Sequence, residues 1–239
     1  MVGIAALIGV FQGHLLDIFL RHFYTGEPVL QRPLRCQACG ARANGAYLLP
    51  FVGYLLSAGR CSGCRALLPL RVLLLPAGSS LTFALAYLAL DDLGAALLAG
   101  FFCAVFLAFV FTDLDERLIP NRIVYPAILA AMALSWGWPD RSVGEIFAGG
   151  GLALVIGALI YVLSRSTFGL GDVKLIILIG LTSGFPSLFL GLFVGVLSAG
   201  AVAAVLLLFR VLRRGDYMPY GPFLSMGGII STIWGPQIF

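Results

Sequence analysis

Charge is what this sequence has least of. Only 11% of its 239 residues are charged, against 60% hydrophobic, whereas a soluble domain carries about 25% charged residues. With a mean hydropathy of +1.02, the scarcity excludes an ordinary soluble domain and points to an integral membrane protein. Strict apolar–polar alternation is missing too, which argues against a membrane β-barrel and for helices. The chain has no long low-complexity tract and no coiled-coil heptads. Its first apolar segment has no basic residues ahead of it, and its charges, Asp17 and Arg21, come at the far end. A cleaved signal peptide shows the opposite order, so the segment is expected to be a retained span.

Long apolar runs are plentiful instead. A bilayer core about 30 Å thick needs about 20 apolar residues per helix. Eight runs qualify as candidates: 2–23, 70–90, 93–112, 122–138, 143–163, 173–185, 187–209 and 220–235. The fourth, sixth and eighth are short, and the division at Phe185–Pro186 is the least defined, so seven or six spans are the alternatives. The expected fold is an all-α polytopic membrane helical bundle of about eight transmembrane helices. Its expected parts are a first helix (1–23), a small loop domain (24–69) and a transmembrane core (70–239).

The few basic residues are distributed unevenly. With eight spans, Arg32, Arg35, Arg42, Arg60 and Arg65 fall in the first loop, flanked by Arg21 and Arg71. Arg117, Arg122, Arg165, Lys174, Arg210, Arg213 and Arg214 fall on the same side, and Arg141 stands alone on the other, near the acidic pair Asp91–Asp92. Cytoplasmic loops carry the excess of Lys and Arg, so the first side is expected to be cytoplasmic and both termini to lie opposite it.

Four of the five cysteines lie in the one sizeable polar stretch, as "CQAC" (Cys36, Cys39) and "CSGC" (Cys61, Cys64) with 21 residues between the pairs. Two such knuckles can wrap one tetrahedral zinc ion. On a reducing, cytoplasmic side structural disulfides are disfavoured, and a loop with so little apolar material gains folding energy from a metal. Free thiols or a redox pair are the alternatives. Cys103, inside an apolar run, reads as a small buried side chain.

Among eleven carboxylates, most sit at the ends of segments. Asp113, Asp115 and Glu116 follow the third run in "FTDLDERLIPNRIVYP"; Asp172 opens the sixth in "STFGLGDVKLIILIGL", with Lys174 two residues on. An aspartate at membrane depth costs about 2.5–3.5 kcal/mol on insertion scales and usually faces the bundle interior or a water-filled cavity. For Asp115 and Glu116, decoration of the interface is the simpler reading. Before Asp172, Gly169 and Gly171 let the backbone bend sharply or approach a ligand. Two carboxylates held together share protons, one serving as base and the other as acid. Spacing alone does not show that Asp113 and Asp172 meet.

The chain resembles the type IV prepilin peptidases, membrane aspartyl proteases of the GxGD class, over nearly its whole length. "FGLGDVKL" matches the glycine–any–glycine–aspartate motif, and "TDLDERLIPN" matches the first aspartate motif, with Asp113 seven residues before Pro120. "CQAC" and "CSGC" match the tetracysteine loop. "GHLLDIFLR" resembles the end of the first helix, and "MPYGPFLSMGG" the C-terminal proline–glycine–proline signature.

The resemblance implies removal of the short basic leader of prepilins or pseudopilins on the cytoplasmic side, ahead of their hydrophobic helix. Asp113 and Asp172 would be the catalytic pair. Gly169, Gly171, Lys174 and Asp115 would support it, and Cys36, Cys39, Cys61 and Cys64 would hold one structural zinc. It also implies a bacterial inner-membrane location, the lipid bilayer as surroundings and no nucleic-acid partner. Many members methylate the new N-terminal residue with S-adenosylmethionine. Asp17 where asparagine is usual, Pro69 for serine, Pro76 for glutamate and the absence of Leu-Pro around His22–Phe23 bear on methyl transfer more than on cleavage. Lys174 is read as an interfacial anchor in preference to a tuner of local charge. A transporter would have carboxylates deep in several segments. A zinc-bearing scaffold would tolerate loss of both aspartates, and a presenilin-like protease would have tyrosine where Thr112 stands.

Overall fold

Each apolar run folds as a helix. The computed structural model describes residues 1–25, 36, 39–40, 51–164, 168–211 and 218–239. Of the basic residues in the charge map, Arg32, Arg35, Arg42, Arg165, Arg213 and Arg214 lie outside the described residues, as does the side chain of Arg21. The helices are α1 (Val2–Thr25), the single turn α2 (Val52–Leu56), α3 (Arg71–Leu90), α4 (Leu93–Glu116), α5 (Asn121–Ala133), α6 (Val143–Leu163), α7 (Leu170–Ser183), α8 (Leu188–Leu208) and α9 (Gly221–Ile238). Among the described residues there is no strand, only an isolated bridge between Arg60 and Leu67. Among the described residues, five helices are long and apolar enough to cross a membrane: Val2–Leu20 of α1, and α3, α4, α6 and α8.

The helix limits have local causes. Asp92 caps α4, its carboxylate accepting from the Ala95 N–H at 2.7 Å. Ser142 and Glu145 form a reciprocal capping box at the start of α6, satisfying two otherwise orphaned donors. Gly184, at φ 72°, ends α7 ahead of a cis Phe185–Pro186 bond, and α8 begins at Leu188. The fourth run is helical only to Ala133 and then tightens into a 3-10 turn, Ser135–Gly137. In contrast, α4 runs about one turn past residue 112, where the third apolar run stops, and ends at Glu116.

Consecutive helices pair as α1 with α3, α3 with α4, α6 with α7, and α8 with α9, while α9 also packs on α4 and α7. The core lies between α4, α7 and α9, around Phe102, Phe106, Phe109, Leu175, Leu178, Ile179 and Ile233, all fully buried. Where lipid tails solvate an apolar surface as well as a neighbouring helix does, helices associate by close packing at small residues. A Cβ on Gly149 of α6 would stand 2.5 Å from the Gly180 carbonyl oxygen of α7, and one on Gly13 of α1 would stand 2.7 Å from that of Leu75 on α3. Outward, Leu7, Phe11 and Leu15 on α1, Leu154 and Val155 on α6 and Phe193 and Leu197 on α8 are exposed. So much outward apolar surface suits acyl chains better than water.

Candidate active site

The up-and-down path gathers the C-terminal ends of α1 and α4 with the N-terminal ends of α3, α5, α7 and α9 at one end of the bundle. The acidic residues singled out by the sequence lie there. Among the described residues, so do Arg60, Arg65, Arg71, Arg117, Arg122, Lys174 and Arg210. Arg141 lies at the other end, stacked 4.0 Å over the Trp138 ring and bonded to the Thr182 and Thr232 carbonyls.

Asp113 occupies the last turn of α4 and is only 4% exposed. Its Oδ2 accepts from the Gly221 N–H, the first residue of α9, at 3.0 Å. A Cβ on Gly221 would stand 2.7 Å from that oxygen, so this contact requires glycine. Asp172 is in the first turn of α7 and is 6% exposed, with its charge at the positive end of the helix dipole. Gly169 makes room for it, since a Cβ there would lie 3.1 Å from Asp172 Oδ2. Gly171 admits the α4–α5 linker, whose Ile119 would stand 3.2 Å from an added Cβ. The linker turns at Arg117, φ 54°, whose N–H still reaches the Asp113 carbonyl at 3.0 Å.

Asp113 and Asp172 line one cavity of about 450 Å³, together with Arg117, Leu118, Ile119, Asn121, Arg122, Gly169, Gly171 and Lys174. The carboxylates form the buried part, and Arg117 and Arg122 are exposed at the rim. Lys174 donates to Asn121 Oδ1 at 2.6 Å and stands 4.8 Å from the Tyr125 ring centre, so it ties α7 to α5. Beside this cavity runs an apolar groove of about 290 Å³ between α6, α7, α8 and α9. Phe168 and Tyr220, with ring centres 6.1 Å apart, are among the residues that line it. These residues immediately precede Gly169 and Gly221.

Asp115 points elsewhere. Two residues apart on a helix are about 200° apart in direction, and Asp115 Oδ2 pairs with Arg71 Nη1 at 3.0 Å. Asp113 and Asp115, two residues apart in the sequence, thus have different surroundings, the first in the cavity and the second against Arg71. Sequence reasoning assigned no role to Gly221, Ile119 or Asn121. "MPYGPF" marked Gly221 only as part of a signature, because its purpose is a contact 108 residues away.

The four loop cysteines converge, with all sulfurs within 4.8 Å of one another. Cys36 and Cys64 are 3.8 Å apart, as are Cys39 and Cys61. A tetrahedron of sulfurs about 2.3 Å from a zinc ion has edges of about 3.8 Å, so the spacing fits a metal and is far too long for disulfides. Backbone hydrogen bonding at Cys64, then Gly63, lowers the Cys61 thiol to about 6, helped by the Cys36 sulfur and opposed by burial. The thiolate is the form that binds metal.

Residues 100–208 match the type IV leader peptidase family, and residues 6–90 match the bacterial peptidase A24 N-terminal domain. Three relatives are each named prepilin leader peptidase/N-methyltransferase. The protein from Dichelobacter nodosus is 32% identical over 85% of this chain and 72% of its own. That from Pseudomonas putida is 29% identical over 86% and 73%. That from Pseudomonas aeruginosa is 29% identical over 85% and 72%. No solved structure matches.

Proposed function

Because the chain belongs to the type IV leader peptidase family, with the prepilin leader peptidase/N-methyltransferases, we propose that it is a membrane aspartyl endopeptidase of the GxGD type. It removes the short basic leader of prepilins or pseudopilins. The observation that carries the reading is the pair of buried carboxylates, Asp113 and Asp172, in one open cavity. With one ionised and the other protonated, the first takes a proton from water as the oxygen attacks the scissile carbonyl carbon. The second protonates the carbonyl oxygen. As the C–N bond breaks, the first gives its proton to the leaving amine and the second takes one back from a hydroxyl of the gem-diol, which becomes the carboxylic acid, so the pair again holds one proton. Arg71, Arg117, Arg122 and Lys174 at this end, with Arg141 alone opposite among the described residues, support a cytoplasmic orientation of the site in the bacterial inner membrane. The three shorter helices α5, α7 and α9 complete a count of eight spans. The apolar groove that opens beside the two glycines suits the apolar segment following the leader.

Cys36, Cys39, Cys61 and Cys64 would hold one zinc ion, which supplies folding energy to the 24–69 loop domain and no step of the hydrolysis. For S-adenosylmethionine the fit is poorer. None of the ten residues lining the carboxylate cavity is aromatic, so an adenine would find no ring to stack on there.

The test is co-expression with a candidate prepilin and intact-mass measurement of its N-terminus. The wild type should remove the leader, and Asp113→Asn and Asp172→Asn should leave it attached at unchanged protein levels. Normal processing by either variant would refute the pair. A further methyl group would appear as a separate mass change.

A further inference from the structure

Arg71 breaks a local rule. It is the first residue of α3, with no acidic residue in that turn, so its cation sits at the positive end of a helix dipole. It is also only 6% exposed. Its compensation comes from two other helices. Nε lies 3.6 Å from Asp17 Oδ1 on α1, a fully buried carboxylate, and Nη1 lies 3.0 Å from Asp115 Oδ2 on α4. Buried ion clusters are a poor source of stability compared with apolar packing. A local violation of this kind, close to a functional cavity, calls for a functional reason.

The reason lies in the last turn of α4. That turn carries Asp113 on one face and Asp115 on the opposite one, and the helix stops directly after it at Arg117. A terminal turn frays unless held. Here Gly221 grips it through Asp113 and Arg71 grips it through Asp115. Asp17 in turn holds the Arg71 guanidinium from the far side. Asp17 and Arg71 belong to the stretch matching the N-terminal domain, and Asp115 belongs to the stretch matching the peptidase family. We propose that Arg71 is a positioning residue: bridging Asp17 and Asp115, it locks the last turn of α4 and so sets the direction of Asp113 in the cavity. The N-terminal region then contributes to cleavage through this clamp. The inference rests on the peptidase reading above.

The test measures kcat and KM per folded enzyme on a prepilin, in the full-length protein, for Arg71→Met, Asp115→Asn, their double variant and Asp115→Glu. A catalytic group displaced by about 1 Å loses about a hundredfold in rate, so each single variant should lose about ten- to a hundredfold in kcat with KM nearly unchanged. The double variant should be no worse than the worse single one, because both remove one contact. Asp115→Glu should recover most of the rate. Arg71→Met also removes a cation from beside the buried Asp17. Should it fail to fold, Asp115→Asn, at a position 46% exposed, reads the same contact alone. Unchanged kcat in Asp115→Asn, a change in KM only, or additive losses would overturn the clamp. So would a shifted pH profile with an intact maximal rate, which would mean that Asp115 acts through its charge. If the wild type cleaves no prepilin, the peptidase reading fails; if it cleaves and the variants match it, only the clamp fails.

Discussion

Replacing Gly221 with alanine separates stability from activity. The new Cβ would stand 2.7 Å from Asp113 Oδ2, 2.8 Å from its Cγ and 3.0 Å from its Cβ. Non-bonded carbons settle at about 3.5–4.0 Å, so the carboxylate must retreat by roughly half an ångström or more. Its hydrogen bond from the Gly221 N–H would stretch or break as it moves. Misplacement of about 1 Å costs about a hundredfold in rate. The expected loss is therefore about ten- to a hundredfold in kcat, or about 1.4–2.7 kcal/mol of barrier. The backbone term pulls the other way but does not outweigh the overlap. Gly221 begins α9 and is not at positive φ, so restriction of the unfolded chain returns about 0.4–1 kcal/mol against about 1–3 kcal/mol of overpacking, and the net change in stability should be small beside the loss of rate. The assay is prepilin cleavage by the purified protein, with thermal unfolding of the same sample. Gly151→Ala is the control, since a Cβ there meets nothing within 4 Å. A Gly221→Ala enzyme with wild-type kcat, or one whose lost activity tracks lost folded protein, would refute the reasoning.

Three further outcomes follow from the geometry. Purified without chelators, the protein should hold about one zinc per chain; Cys36→Ser combined with Cys61→Ser should abolish it, and metal analysis finding none in the wild type would count against the site. The pH–rate profile should be bell-shaped, with two apparent pKa values belonging to the aspartate pair. As pH falls through the lower value both carboxylates become protonated and the base is lost; as it rises through the upper value both ionise and the acid is lost. A profile following one unperturbed carboxylate would argue against the pair. Gly149→Ala should lower the unfolding temperature, because its Cβ would press on the backbone carbonyl of Gly180 at 2.5 Å and overpacking of this kind costs about 1–3 kcal/mol. An unchanged transition would mean that the α6–α7 crossing relaxes freely.

Hydropathy located the helices because a lipid-facing run must be apolar along its length, but it misjudged their ends. It stopped the third run at residue 112, where charge begins, while α4 continues to Glu116. Those charges are compatible with helix because Asp113 turns into a cavity and Asp115 into Arg71. It started the sixth run at 173, whereas α7 begins at Leu170; Gly171 is inside the helix, its missing side chain serving contact with Ile119. Arg71 was visible as one more basic residue beside a loop. Nothing in its neighbourhood of the sequence showed that its partners were Asp17 and Asp115.

By itself, then, the sequence determined the membrane class, the helical runs, the doubled cysteine knuckle and a short set of carboxylates. These follow from local composition and from spacings of a few residues, which covalent geometry and the bilayer turn directly into structure. Tertiary packing decided that Asp113 turns into the cavity with Asp172 while Asp115 turns to Arg71, and that Gly221 approaches Asp113. Those contacts join residues 44 and 108 positions apart. They depend on how helices cross and rotate against one another, a global balance of packing that no local pattern encodes.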